Sequence, residues 1–278
     1  MNSKIIGFAL FLLPIVTLGF EPLNTDDAGT VKAGGNQIEQ YFFIISRNGA
    51  PNQADLVTPG EEYVGQDTAK AFPFTYTKGI NDATEVSIST TYYQEPKGNF
   101  SKFANYVIST KWRFYGDEDN GFALAIKPTI ILPSSKPQQV AGLGLAATNY
   151  GVNFIASKYW NNLEFHVNGM YMRSPYNTNY SIGLATDPIR TNIFIVSIAP
   201  VWAITKEFKV ALDIGTSTNP PTNEQYFSHY SLIAGIYSLT DDIDLGISYM
   251  RTGTSYSETF AAQQAGATRS EVGITWRF

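Results

Sequence analysis

The chain has 278 residues, a formal net charge of −5, a mean hydropathy of −0.12 and no cysteine. Disulfides and thiolate metal sites are therefore excluded, and an acidic balance without a basic run argues against a nucleic-acid partner. Charged residues make up only 15% and aromatics 14%, against a usual charged share of ~25%.

At the N-terminus, Lys4 precedes an apolar run from Ile5 to Phe20 that only Pro14 and Thr17 interrupt. With small Thr17 and Gly19 before a cut after Gly19, residues 1–19 read as a secretory signal peptide. The alternative, a membrane anchor, needs ~20 apolar residues and would be weakened by Pro14. No later apolar run is long enough for a spanning helix. Residues 20–36 form a separate polar segment, either periplasmic or inside a lumen.

From there the pattern predicts about twelve strands, near 37–46, 70–78, 83–93, 103–115, 121–133, 144–157, 162–173, 189–204, 207–217, 226–238, 243–252 and 268–278. Period-two alternation is the signal. Phe122, Leu124, Ile126, Ile130 and Leu132 oppose Lys127 and Thr129. Tyr106, Ile108, Trp112 and Phe114 oppose Lys111 and Arg113. Phe208, Val210, Leu212 and Ile214 oppose Lys209 and Asp213, and Ile243, Leu245, Ile247 and Tyr249 oppose Asp244. The first and eighth strands are apolar on both parities, and Pro200 removes a ladder donor from the eighth.

Connections alternate strictly between short and long. Gly79–Asp82, Gly116–Asn120, Trp160–Asn162, Thr205–Glu207 and Thr240–Asp242 are tight; 47–69, 94–102, 134–143, 174–188, 218–225 and 253–267 are long and polar. Aromatic residues gather near strand ends: Tyr92, Tyr93, Trp112, Tyr115, Tyr159, Trp160, Tyr171, Trp202, Tyr237, Tyr249 and Trp276. Short turns at one end, long loops at the other and aromatic girdles predict an all-β, antiparallel up-and-down transmembrane barrel over 37–278, with lipid as its solvent. A soluble sandwich explains the strands but not the loop asymmetry. The last strand places Val272, Ile274, Trp276 and Phe278 on one face, and Glu271 and Arg277 on the other. Its terminal Phe278, with Trp276, resembles the assembly signal of bacterial outer-membrane barrels. That resemblance implies periplasmic chaperones and the barrel-assembly machinery as partners, and the Gram-negative outer membrane as the location.

After the signal comes Pro22-Leu23-Asn24-Thr25-Asp26-Asp27-Ala28-Gly29-Thr30, then Gly35-Asn36-Gln37-Ile38-Glu39. These residues resemble the opening of a family of Gram-negative outer-membrane barrels named for the meta-cleavage pathway of phenol degradation and often called transporters. The resemblance implies a transporter-like barrel. Two readings of Thr25, Asp26 and Asp27 follow from the residues. Asp caps local turns readily, so the pair would cap a turn into the first strand. Alternatively, residues 20–36 fold into the barrel, narrow it and bring these carboxylates to lumen cations.

On the non-lipid parity the strands present Glu85, Lys111, Arg113, Lys127, Glu164 and His166, then Lys209, Asp213, Asp244, Glu271 and Arg277. Buried charges need partners or water. They form either mutually neutralising pairs that stiffen the barrel or a constriction that polarises a solute. A twelve-stranded barrel is wider than the filled eight-stranded type and narrower than open porins, so small solutes are expected, and the Tyr, Ile, Ser and Gly of the inner parity suit amphipathic or aromatic ones. His229 and Ser231 share a strand face as H-x-S and resemble the rim dyad of outer-membrane lipid hydrolases. The residue after Ser231 is Leu232 rather than Asn, and spacing identifies no third member. A purely structural surface barrel is the remaining alternative. No metal cluster or phosphate loop is present in the sequence, and no cofactor is expected.

Overall fold

The computed structural model describes residues 22–47, 68–94, 99–140, 143–175, 191–218, 227–254 and 267–278. The expected signal peptide lies outside the described residues. Twelve strands follow one another: β1 (Asn36–Arg47), β2 (Thr68–Asn81), β3 (Thr84–Gln94), β4 (Val107–Asp117), β5 (Phe122–Ile131) and β6 (Asn149–Tyr159). They continue as β7 (Leu163–Arg173), β8 (Asn192–Ala203), β9 (Phe208–Thr218), β10 (Phe227–Thr240), β11 (Ile243–Thr254) and β12 (Ala267–Arg277). Each pairs antiparallel with its chain neighbours, and β1 pairs with β12, so the sheet is a closed barrel. Closure leaves no strand edge unpaired in lipid. The seam runs from Gln37↔Arg277 to Arg47↔Ala267, and Asn36 and Phe278 extend it with reciprocal backbone bonds of 2.8 and 2.9 Å.

Strand bounds depart most from expectation at two places. β4 begins at Val107 rather than near 103, because Phe103 makes only an isolated bridge to Tyr92. β6 begins at Asn149 rather than near 144, and the connection before it carries a short helix, α1 (Lys136–Val140). Asn105 organises this connection: its side-chain amide donates to the Leu145 carbonyl and accepts from the Leu145 amide.

The ambiguous strands resolve by packing. In β1, Glu39, Tyr41 and Phe43 are buried inside. The Tyr41 ring lies over Gly273 of β12, where an added Cβ would sit 2.3 Å from the ring, and reaches the Cβ position of Gly246 on β11. Gly273 is thus a seat for Tyr41, which explains an aromatic residue on the inner parity. In β8, Ser197, Ala199 and Val201 are buried while Phe194, Val196, Ile198 and Trp202 are exposed outward. Pro200 keeps its pairing with Phe165 of β7, but the β9 ladder skips Ala199 and Pro200. Pro73 likewise interrupts the β1–β2 ladder at Tyr41 and Phe42, where the Gln40 side chain donates to the Pro73 carbonyl at 2.9 Å.

Outward residues are apolar and exposed, as a lipid-facing surface requires. Trp112, Tyr115, Trp160, Trp202, Tyr237, Trp276 and Phe278 ring the short-turn end. Two residues expected in the girdles point inward instead: Tyr93 is buried against Phe43 and Ala71, and Tyr159 packs near His166. Tyr92 and Tyr93 are consecutive, so strand alternation sends one of them inside.

Candidate functional site

Residues 22–31 lie inside the barrel and cross it, and residues 32–34 emerge exposed beside the β2–β3 turn. Leu23 is buried among Ala199, Val201, Ala211, Leu232 and Met250 on the β8–β11 wall. Ala28 packs on Ala123, Ala125 and Ile155 of β5 and β6. Thr30 and Ala33 bond to Asp82 in the β2–β3 turn. The segment leaves past Gly79, where an added Cβ would meet the Lys32 carbonyl at 2.0 Å, so only glycine lets the two backbones approach.

Asp26 is the centre of this crossing. Its two carboxylate oxygens meet Lys111 Nζ at 3.1 Å and Lys127 Nζ at 2.6 Å. Lys111 also contacts Glu85 at 3.3 Å and Asp27 at 3.8 Å, and the other Glu85 oxygen accepts the Val31 amide at 2.7 Å. The local-cap reading of the two aspartates therefore holds only for Asp27, whose Oδ1 accepts the Gly29 amide at 2.6 Å. Asp26 caps nothing locally, because both of its oxygens are taken by lysines from β4 and β5. Burial pulls the Asp27 carboxyl upward; Lys111, then His166, and lastly the Gly29 amide outweigh it against opposition from Glu164. The group is held below its ordinary value.

A second node is Asp213 of β9. Oδ2 accepts the amides of Asn24 and Thr25 at 2.6 and 2.8 Å, and Oδ1 accepts the hydroxyls of Thr25 and Tyr230 at 2.7 and 2.8 Å. A carboxylate aimed at consecutive amides fixes the turn it receives. Nearer the short-turn end, Lys209 meets Glu164 at 2.6 Å and Arg277 meets Asp244 at 2.7 Å. Glu164 is also 3.4 Å from His166, whose Nδ1 shares a 2.8 Å bond with Ser157, and Ser157 Oγ accepts the Ala28 amide. Arg113 donates to the Asp82 carbonyl. Glu271 pairs with Arg269 at 3.2 Å. All eleven charged or imidazole residues predicted for the inner parity thus find partners inside the barrel or at its mouth.

Residues 22–269 match the model of a family described as "Putative MetA-pathway of phenol degradation". The chain belongs to that family. No curated protein matches it by sequence. Among solved structures it is similar to an outer membrane channel from Pseudomonas putida F1, at 10% identity and a TM-score of 0.64, over 91% of this chain and 98% of that one. It is also similar to the NanC porin, at 12% identity and a TM-score of 0.56, over 85% of this chain and 98% of that one. The KdgM porin aligns at 7% identity and a TM-score of 0.54, covering 87% and 99%. At such identities the likeness is one of fold.

In this family member several inner residues carry no charge pattern that flags them in the sequence. Asn168 receives the Asp26 amide at 2.9 Å and donates to the Asp26 carbonyl at 2.7 Å. The Ser197 hydroxyl lies 2.8 Å from the Thr25 hydroxyl and donates to it, since the Thr25 proton goes to Asp213. Glu39 is buried on the β1 wall, and Arg269 donates to the Asn24 side chain at 3.0 Å. Asn168 was legible on the strand face of Glu164 and His166, and Glu39 and Arg269 as charges on the inner parity of β1 and β12; Ser197 lies in a strand apolar on both parities and had no such signal. His229 and Ser231 lie on the outward face of β10, and their ladder partners are Thr216 and Ile214 on β9 and Gly253 and Arg251 on β11. None of these four supplies a carboxylate to orient the imidazole. Among the described residues there is no cluster of three or more metal-ligating side chains.

Proposed function

We propose that the protein is an outer-membrane channel for small solutes whose lumen is narrowed by its own residues 22–35. The observation that carries this reading is Asp26 held between Lys111 and Lys127, in a segment that crosses the interior from the β8–β11 wall to the β2–β3 turn. A segment needed only to start β1 has no use for partners on β4, β5, β7 and β9. The similar structures described as a channel and as porins support the same reading by fold. Export with cleavage after Gly19, and assembly guided by Trp276 and Phe278, belong to it. The mixed inner surface suits uncharged amphipathic or aromatic molecules better than ions, because both lysines near Asp26 are already held by carboxylates.

Deleting residues 21–34 tests the proposal. In planar bilayers the shortened protein is expected to conduct several-fold more than the parent and to admit larger solutes in liposome swelling. Equal conductance would reject the narrowing role. The lipid-hydrolase alternative at His229 and Ser231 lacks an orienting acid among its ladder partners.

A further inference from the structure

Toward the long-loop ends of the strands the inner wall changes character. Met170 and Met172 of β7, Ile193 of β8, Val107 of β4 and Ile131 of β5 form one buried apolar cluster. Between them β6 turns Asn149, Gly151 and Asn153 inward. Gly151 pairs with Thr129 on one side and Met172 on the other, and Asn153 pairs with Met170. Gly151 is itself a close approach, since an added Cβ would meet the Tyr171 carbonyl at 2.4 Å; the side chains around it are one hydroxyl, two amides and two thioethers, at the spacing of neighbouring positions in a sheet.

Thr129 Oγ1, Asn149 Oδ1 and Asn153 Oδ1 are all buried, and none has a hydrogen-bond partner among the described residues. Native proteins rarely leave such atoms unpaired, because each has lost its water for nothing. Three in one patch point to a partner that comes from outside the chain. For Asn153 the chemistry of that partner is set. The Asp26 amide donates to Asn168 Oδ1, and Asn168 Nδ2 donates to the Asp26 carbonyl, which fixes the Asn168 amide. Asn153 Nδ2 then donates to the same Oδ1 at 2.7 Å. What Asn153 offers to the patch is an acceptor, and only a donor satisfies it.

We propose that this patch is a binding subsite for an uncharged solute with an apolar body and a hydroxyl group, such as an alkylphenol. The hydroxyl donates to Asn153 Oδ1 and can accept from Thr129, while Met170 and Met172 repack around the body, as unbranched thioethers do. A carboxylate is disfavoured: it would meet an acceptor, and the nearby Lys127 is held by Asp26. The proposal rests on the channel reading, since the solute must enter the lumen.

The test is titration calorimetry of the refolded mature protein against empty micelles, with para-propylphenol, propylbenzene and para-propylbenzoate as probes. Saturable binding is expected for the phenol, with propylbenzene and the benzoate each at least about tenfold weaker, the effect of one lost hydrogen bond. Thr129→Val/Asn149→Leu should weaken the phenol by about tenfold or more and leave propylbenzene unchanged. Thr129→Val alone, nearly isosteric, keeps the test valid if the double variant fails to fold. Equal affinities for phenol and propylbenzene, or no change in the variants, would overturn the subsite and leave water as the occupant. Swelling assays on the same samples separate the two claims. Solute flux without saturable binding rejects the subsite and keeps the channel; saturable binding without flux keeps the subsite and rejects the channel.

Discussion

The layer around Asp26 and the layer around Gly151 sit on the same strands, two to four residues apart, yet they are built on opposite rules. In the first, Asp26, Lys111, Lys127 and Glu85 satisfy one another and the backbone of residues 22–35. In the second, the wall is apolar and its polar atoms are left without partners. A segment of the chain fills the first layer, so those four groups pair internally, although the neighbouring Glu39 Oε1 is buried without a partner among the described residues. Among the described residues no such segment bonds to the unpaired atoms of the second, and that difference separates a latch from a place for a visitor.

The comparison breaks most readily at Asp26. Asp26→Asn removes the charge between two buried lysines, and stripping one partner from a buried pair costs about 3–5 kcal/mol. The N-terminal segment is then expected to leave its seat, seen as raised conductance and as protease cleavage within residues 22–35 of the folded barrel. Parent-like conductance and protection would mean that Asp213 and Asn168 hold the segment unaided.

A smaller effect is expected from acid. The Asp27 carboxyl is held below its ordinary value when the segment is seated. Its contribution to seating is therefore fully present above the free carboxylate value of ~3.9 and is lost as pH falls through the lowered seated value. Conductance should stay flat from neutral pH to about pH 4 and rise below it. Asp27→Asn should raise conductance slightly at neutral pH and flatten part of the acid rise. An acid response identical in the variant would assign it to other groups.

The smallest effect belongs to the second layer and has the opposite sign. Thr129→Val replaces an unpaired buried hydroxyl with a methyl group, so stability should be unchanged or rise by up to about 1 kcal/mol. The heat-induced mobility shift of the folded barrel on gels reads this directly. A clear loss of stability would show that the hydroxyl is paired by the protein.

Most of the barrel was legible because its outer face meets lipid and must be apolar at every second residue. Phe122–Leu132 and Phe208–Ile214 show this without help from other strands. β1 and β8 were illegible for a local reason: their inner faces pack against protein rather than water. Tyr41 fills the space over Gly273, and Leu23 covers Ala199 and Val201, so apolar residues occupy both parities. Asp26 was ambiguous because its local sequence suits a turn, while its partners lie 85 and 101 residues away.

The sequence by itself determined a closed barrel with its last strand at the seam, its long loops at one end and its charges inside, since alternation and connection length follow from lipid and water alone. Only the tertiary structure decided that residues 22–31 fill the interior and that Asn153 Oδ1 and Thr129 Oγ1 are buried without a partner among the described residues. Those outcomes depend on which strands face one another across the lumen, a relation that period-two patterning does not encode.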